Sequence, residues 1–199
     1  MSSTATPYGL KPVNLIGGRV YAGATRQVKI ASAYNTAIGY GDIVQVHTDG
    51  TITKVTNVGS NADPFPAGTV GVFLGCSYTS PTLKYFLQNQ QWPAGTVASD
   101  AMAYICDDPF GVFQIQANGT VVQADLQTNC PVVQGAVKTT TGNSTVSLDI
   151  GNKNTTATIA FKIIDFVNAP GMTVGDAYTD VLVKFNPSSH AYLAGLGVA

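Results

Sequence analysis

The chain has 199 residues, which is enough for one large domain or two small ones with a hydrophobic core that needs no disulfide or metal. Ten Lys and Arg against eleven Asp give a formal net charge of −1, and charged residues make up only 11% of the chain. This excludes nucleic acid as an expected partner, because such binding requires many cations to neutralise phosphates. Hydrophobic residues, at 45% of the chain, exclude intrinsic disorder.

The composition predicts an all-β protein. Thr, Val and Ile together fill 56 positions, whereas Glu is absent and Leu occurs ten times. Thr, Val and Ile are β-branched and pack well on a pleated sheet, whereas Glu and Leu are strong helix formers. With 21 Gly and 10 Pro available for turns, we expect a small β-barrel or β-sandwich of short antiparallel strands.

Residues 1–24 differ in pattern from the rest of the chain. Prolines and glycines interrupt any regular element there, while large apolar residues recur between them. We interpret the segment as an extended N-terminal arm that grips another protein, with a frayed terminus as the alternative. The candidate interface residues are Tyr8, Leu10, Pro12, Val13, Leu15, Ile16 and Tyr21. Residues 25–199 form the predicted β-rich body, for which a division into two subdomains near residue 90 is an alternative.

The first half of the body shows alternation and turn signals typical of strands. Arg26, Val28 and Ile30 are predicted to share one face of a strand. Residues 43–47 and 51–56 flank Asp49-Gly50, a pair that favours a tight hairpin.

A pentapeptide, Pro-Ala-Gly-Thr-Val, occurs twice, at residues 66–70 and 93–97. Each copy predicts a proline-initiated turn that leads into an apolar strand, at 71–76 and at 101–106. Residues 80–87, between these strands, are compatible with either a helical turn or a strand.

The second half continues the pattern. Asn118-Gly119 predicts a hairpin between residues 112–117 and 120–123. A polar tract at 138–156 predicts turns, and two apolar runs at 157–164 and 180–185 predict the last strands. Short strands separated by turns at such intervals are typical of a sandwich or a barrel.

No motif for catalysis, metal binding or cofactor binding is present. The adjacent pair Asp107-Asp108 precedes Pro109, so we interpret it as a turn whose carboxylates point apart. His47 is predicted to lie at the surface or in a turn. Three cysteines cannot all pair within one chain, and no C-x-x-C spacing suggests zinc or redox chemistry. We therefore expect no enzymatic activity and no cofactor.

Residues 1–9 lack the basic and apolar regions of a secretory signal, and no apolar run approaches the ~20 residues that span a bilayer. We expect synthesis in a reducing cytoplasm and no membrane partner.

Several segments, taken in order, resemble the virion proteins of tailed bacteriophages that decorate the capsid, known as head decoration or cement proteins. The similar segments are residues 8–13, 43–52, 92–96, 107–109, 112–116, 139–144, 147–149, 157–159, 162–163 and 181–186, followed by His190. They extend along nearly the whole chain, and their order carries the resemblance more than any single segment does.

The resemblance implies a non-enzymatic protein on the outer capsid surface of the virion, made in the host cytoplasm. Such proteins are often homotrimers that clamp neighbouring subunits of the major capsid protein. The segment from Tyr8 to Tyr21 is then the expected gripping element. Two alternatives stay open, a tail or head-fibre component of a phage and a carbohydrate-binding β-sandwich module.

Overall fold

The computed structural model describes residues 4–167, 169–195 and 197–198. Within these residues, nearly all regular structure is strand, interrupted by three 3₁₀ turns and one short helix. The strands are β1 (Lys11–Leu15), β2 (Arg19–Val20), β3 (Arg26–Lys29), β4 (Ile43–Val46), β5 (Ile52–Lys54), β6 (Thr69–Thr79), β7 (Phe86–Asn89), β8 (Met102–Cys106), β9 (Gly111–Gln116), β10 (Asn129–Cys130), β11 (Val132–Val133), β12 (Ser147–Leu148), β13 (Phe161–Phe166) and β14 (Asp180–Phe185). The 3₁₀ turns are Gln123–Asp125, Ile150–Asn152 and Pro187–Ser189, and helix α1 is Ala191–Ala194.

The strands form two large antiparallel sheets. Sheet 1 has the order β3-β8-β6-β4-β5, and β7 also pairs with β6. Sheet 2 has the order β10-β13-β14-β9-β1-β2, and β11 and β12 form a separate small pair. The sheets do not close into a barrel, so the fold is an all-β sandwich, one of the two predicted architectures.

The largest hydrophobic cluster joins the two sheets. From sheet 1 it contains Ile43, Val72 and Cys106, and from sheet 2 it contains residues such as Phe113 and Phe185. Side chains alternate between the two faces of a strand, so the opposite face of sheet 1 carries a second cluster, with Val44, Phe73, Ile105 and Trp92 among its members. The central part of sheet 1 is therefore buried on both faces, which explains the run of residues 70–76 in β6 without a polar side chain.

A buried ion pair ties the start of β4 to β5 and to the polar tract. Lys54 Nζ lies 3.0 Å from Asp42 Oδ2, and the two side chains are 8% and 0% exposed. The Asp42 carboxylate also accepts the Gly39 N–H at 2.8 Å and the Ser144 hydroxyl at 2.6 Å. Lys54 Nζ donates in addition to the Gly135 carbonyl at 2.9 Å. The pair fixes two sequence-distant loops against sheet 1.

Several local predictions are confirmed. β4 and β5 pair as a hairpin around Asp49-Gly50. The strands predicted at 71–76 and 101–106 correspond to β6 and β8, which pair with each other. Both pentapeptides form turns, in which the N–H of Thr69 donates to Pro66 and that of Thr96 donates to Pro93. In the ambiguous region 80–87, the N–H of Lys84 donates to the carbonyl of Ser80 at 2.9 Å in a single turn, and a strand begins at Phe86, so each interpretation holds for one part of the region.

The hairpin predicted around Asn118-Gly119 is wrong. β9 ends at Gln116 and its neighbours in sheet 2 are β14 and β1, so no position beside it is left for residues 120–123. Asn118 donates its side-chain N–H to Asp149 at 3.1 Å, and its own N–H bonds to Leu148. Contacts with a distant segment therefore decide the conformation here, not the local turn signal.

The predicted extended arm is largely part of the sandwich. Residues 1–3 of the arm lie outside the described residues, but β1 pairs with β9 over residues 11–15, so the first 24 residues are not separate from the body. A boundary near residue 90 would cut sheet 1, because β7 and β8 both pair with β6. The strands of 26–106 instead form sheet 1, and those of 11–20 and 111–185 form sheet 2, apart from the separate pair of β11 and β12.

Candidate functional site

The hairpin formed by β1 and β2 projects apolar side chains into solvent at the end of sheet 2. Val20 is 78% exposed, and Ile16 and Val13 are exposed on the same hairpin. The N–H of Ile16 donates to the carbonyl of Phe110 at 2.9 Å, which places the exposed Phe110 next to Ile16. We call Val13, Ile16, Val20 and Phe110 the hairpin patch. Large apolar side chains grouped on a surface mark a site for contact with another protein.

The backbone of β1 is poorly suited to pairing with a strand of another molecule. β2 covers only Asn14 and Leu15, so residues 11–13 lie at the edge of the sheet. Pro12 has no N–H, Lys11 is charged, and Val13 occupies a bulge in the pairing with β9. These three features discourage edge-to-edge strand addition. Contact through the apolar side chains of the patch is therefore favoured over addition of a strand.

The seven candidate interface residues fall into three groups. Leu10 is fully buried in the core between the sheets, so the prediction that it contacts a partner is wrong. Val13 and Ile16 are exposed and belong to the hairpin patch. The remaining candidates are half-buried and stay predictions; they are Tyr8, Pro12, Leu15 and Tyr21.

Tyr8 is anchored to sheet 2, not presented to solvent. The Lys11 ammonium lies 4.2 Å from the centroid of its ring. Burial, and next to it the charge of nearby Asp180, raises the pKa of the Tyr8 hydroxyl. Asp180 is itself 3% exposed, receives a 3.4 Å hydrogen bond from Gln114, and has its pKa raised chiefly by burial. This polar cluster holds the segment before β1 against β9 and β14.

Sequence reasoning missed Val20 and Phe110, the two most exposed members of the patch. The sequence around both residues could have indicated their exposure, because each lies close to a turn. Val20 comes shortly after the Gly17-Gly18 pair at the hairpin tip, and Phe110 follows Pro109. A large apolar residue directly beside a turn has few core neighbours available to it. Such positions are therefore the first to examine for a contact surface.

The ionisable residues that sequence reasoning considered do not converge. Asp107 binds Arg26 at 3.1 Å and accepts the Tyr192 hydroxyl at 2.8 Å. Asp108 accepts the N–H of Phe110 at 2.8 Å, as predicted for a turn. His47 is exposed beside Asp49. The carboxylates of the pair thus serve different contacts.

All three cysteines are free and buried, and burial raises the pKa of Cys76 and of Cys130 to about 12. Such thiols stay protonated at neutral pH and are poor nucleophiles. In the described part of the chain, no group of three or more His, Cys or Asp side chains is placed to bind a metal ion. Among the same residues, no helix is long and apolar enough to cross a bilayer.

The fold and the patch define an all-β sandwich with an exposed apolar hairpin. None of the protein families, curated proteins or solved structures compared with the chain matches it significantly.

Proposed function

We propose that the chain is a structural virion protein that binds the outer surface of a phage capsid and cements neighbouring subunits of the major capsid protein. The observation that carries the proposal is the hairpin patch, with Val20 at 78% and Phe110 at 57% exposure on a low-charge surface. Depletion of charge and enrichment in large apolar residues are properties of interface cores. The sequence resemblance to head decoration proteins supplies the capsid as the partner.

The ordered hairpin favours binding more than a free arm would. An arm that folds on binding loses about 1–2 kcal/mol of backbone entropy per residue. β1 is already held by its pairing with β9, so this cost is met during folding. When the partner covers the exposed part of a patch side chain, that side chain contributes about 1 kcal/mol to the free energy of binding. One subunit then binds weakly, and several linked copies bind a shell tightly through avidity.

Substitutions in the patch test the proposal. We expect the double variant Ile16→Asp/Val20→Asp to bind at least about tenfold less than wild type, because burying two carboxylates without partners is unfavourable. The assay is co-sedimentation with shells of the phage that encodes the chain, from which the native decoration has been removed. The control is Val97→Asp, since Val97 is also well exposed, at 63%, but lies in the turn after β7. Undiminished sedimentation of the double variant would refute the assignment of the patch.

Removing residues 1–20 is not an equivalent test. The deletion takes away Leu10, which is fully buried between the sheets, together with β1 and β2. Loss of a buried Leu alone costs about 2–5 kcal/mol. Point substitutions of exposed residues separate loss of binding from loss of folding.

We further propose that the chain acts as a homotrimer, the state that the resemblance implies. Static light scattering measures this directly. A mass three times that of the chain supports placement at three-fold positions of a capsid, and a monomer mass contradicts it.

A further inference from the structure

An open groove of about 730 Å³ lies on sheet 1, away from the hairpin patch. It opens where β6 changes its neighbour on one side. β4 pairs with β6 as far as Val72, and β7 pairs with it from Cys76 onward. Leu74 and Gly75 therefore have no strand beside them on that side, and they line the groove. Its volume lies in the roughly 300–1,000 Å³ range of small-molecule sites.

The floor of the groove is kept open by a glycine in a bulge. The register between β6 and β8 shifts between Phe73 and Gly75. Gly75 has a φ of +147°, and a Cβ there would lie 3.1 Å from the carbonyl oxygen of Asn89. A side chain at this position would be strained and would project from the floor. A bulge of this kind re-aims the neighbouring side chains and is typical of binding sites.

The walls carry two aromatic rings and four amides, and none of the lining residues is charged. The residues that contribute these groups are Tyr40, Tyr104, Gln27, Gln88, Asn89 and Gln90. A site without charge has no means of compensating the desolvation of a charged ligand, so the chemistry favours a neutral one.

Most of the wall is fixed before any ligand binds. The Tyr104 hydroxyl donates to Ser77 Oγ at 3.1 Å. The Gln90 amide donates to Asn143 Oδ1 at 2.6 Å. The backbone of Tyr40 bonds on both sides to the same loop, to Gly142 and to Ser144, at 2.9 Å each. Pre-organised side chains reduce the entropy lost on binding.

Two glutamines leave their amides available. Gln27 and Gln88 are exposed, and no hydrogen bond from either side chain to the described residues is present. A carboxamide offers two donors and an acceptor side by side, which matches the adjacent hydroxyls of a sugar ring. Tyrosine rings offer apolar faces with a polar tip, which matches the C–H faces of the same ring. We propose that this groove binds a neutral oligosaccharide.

The test uses the full chain labelled with ¹⁵N and a panel of neutral tetrasaccharides: cellotetraose, maltotetraose, laminaritetraose, mannotetraose and N-acetylchitotetraose. We expect at least one of them to shift the amide signals of Gly75, Gln88 and Gln90, and calorimetry to give a dissociation constant for it. The exposed double variant Gln27→Ala/Gln88→Ala is expected to bind about tenfold more weakly or worse, because each amide loses its hydrogen bonds to the sugar. The matched control is Gln123→Ala, an exposed glutamine in a 3₁₀ turn outside the groove, which should bind as wild type.

The proposal would be overturned if no amide signal of the groove shifted with any member of the panel at millimolar concentration, or if the shifts were confined to residues outside the groove. A sulfated heparin tetrasaccharide serves as a charged comparison, and binding of this ligand alone would also overturn the proposal. Equal affinity of the glutamine double variant and wild type would also contradict it. The two proposals fail separately. The Gln27→Ala/Gln88→Ala variant should still sediment with capsid shells, and the Ile16→Asp/Val20→Asp variant should still bind the sugar.

Discussion

Removal of the cation from the buried ion pair should destabilise the protein strongly. In the variant Lys54→Met the aliphatic stem is retained, but the Asp42 carboxylate, which is fully buried, loses the ammonium 3.0 Å away. It keeps only the hydrogen bonds from Gly39 and Ser144. Breaking a buried pair in this way costs about 3–5 kcal/mol, because an uncompensated charge stays in a medium of low polarisability. For a chain of this length, this corresponds to a fall in Tm of roughly 6–20 °C.

A second variant, without the buried carboxylate, separates the effect of the charge from the loss of packing. Asp42→Asn/Lys54→Met contains no buried charge, so it should unfold at a higher urea concentration than Lys54→Met alone. The control is Arg26→Met, which breaks the ion pair with Asp107. Arg26 is 56% exposed there, so the expected loss is below about 1 kcal/mol. Urea unfolding followed by circular dichroism measures all four proteins. A loss for Lys54→Met no greater than that for Arg26→Met would refute the reasoning.

Two further predictions concern buried titratable groups. Burial raises the pKa of Asp180, so the folded protein loses stability as pH rises through that raised pKa. The variant Asp180→Asn should therefore have a higher Tm than wild type at pH 7. The gain should vanish below about pH 4, where the carboxyl is protonated in both the folded and the unfolded protein. Equal Tm values at pH 7 would contradict this. Cys76, Cys106 and Cys130 should not react with Ellman's reagent at pH 8 in the native protein, whereas all three should react in guanidinium, because burial keeps the thiols neutral and inaccessible. Rapid reaction of the native protein would show that the strands around them open.

The local features that could be predicted share a short range. The hairpin of β4 and β5 is encoded by alternation on both sides of Asp49-Gly50, and the short loop closed by the bond from the His47 N–H to Thr51 brings its strands together without help from the rest of the chain. The two proline-initiated turns are equally local. By contrast, Asn118-Gly119 carries a similar turn signal and forms no hairpin, since its side chain bonds to Asp149 in a segment 31 residues away.

The candidate site was predicted only in part. The sequence pointed to the segment that carries the exposed hairpin, because a run of large apolar residues among prolines and glycines is unusual. It did not separate Leu10, which is buried, from Ile16, which is exposed, although both are aliphatic residues of similar size. Which of them enters the core depends on how β1 lies against β9. The groove is lined by residues from five separated parts of the chain, so no local pattern predicts it.

Composition and period-two alternation determined that this chain is an all-β protein with buried strands, because these preferences act within a few residues along the backbone. The tertiary structure alone decided that the N-terminal segment is an inner neighbour of β9, that Asp42 meets Lys54 in the core, and that Val20 and Phe110 are exposed at the surface. The physical reason is that strand partners are chosen by long-range packing. A strand's own sequence specifies which faces are apolar, and it leaves open which other strand will cover them.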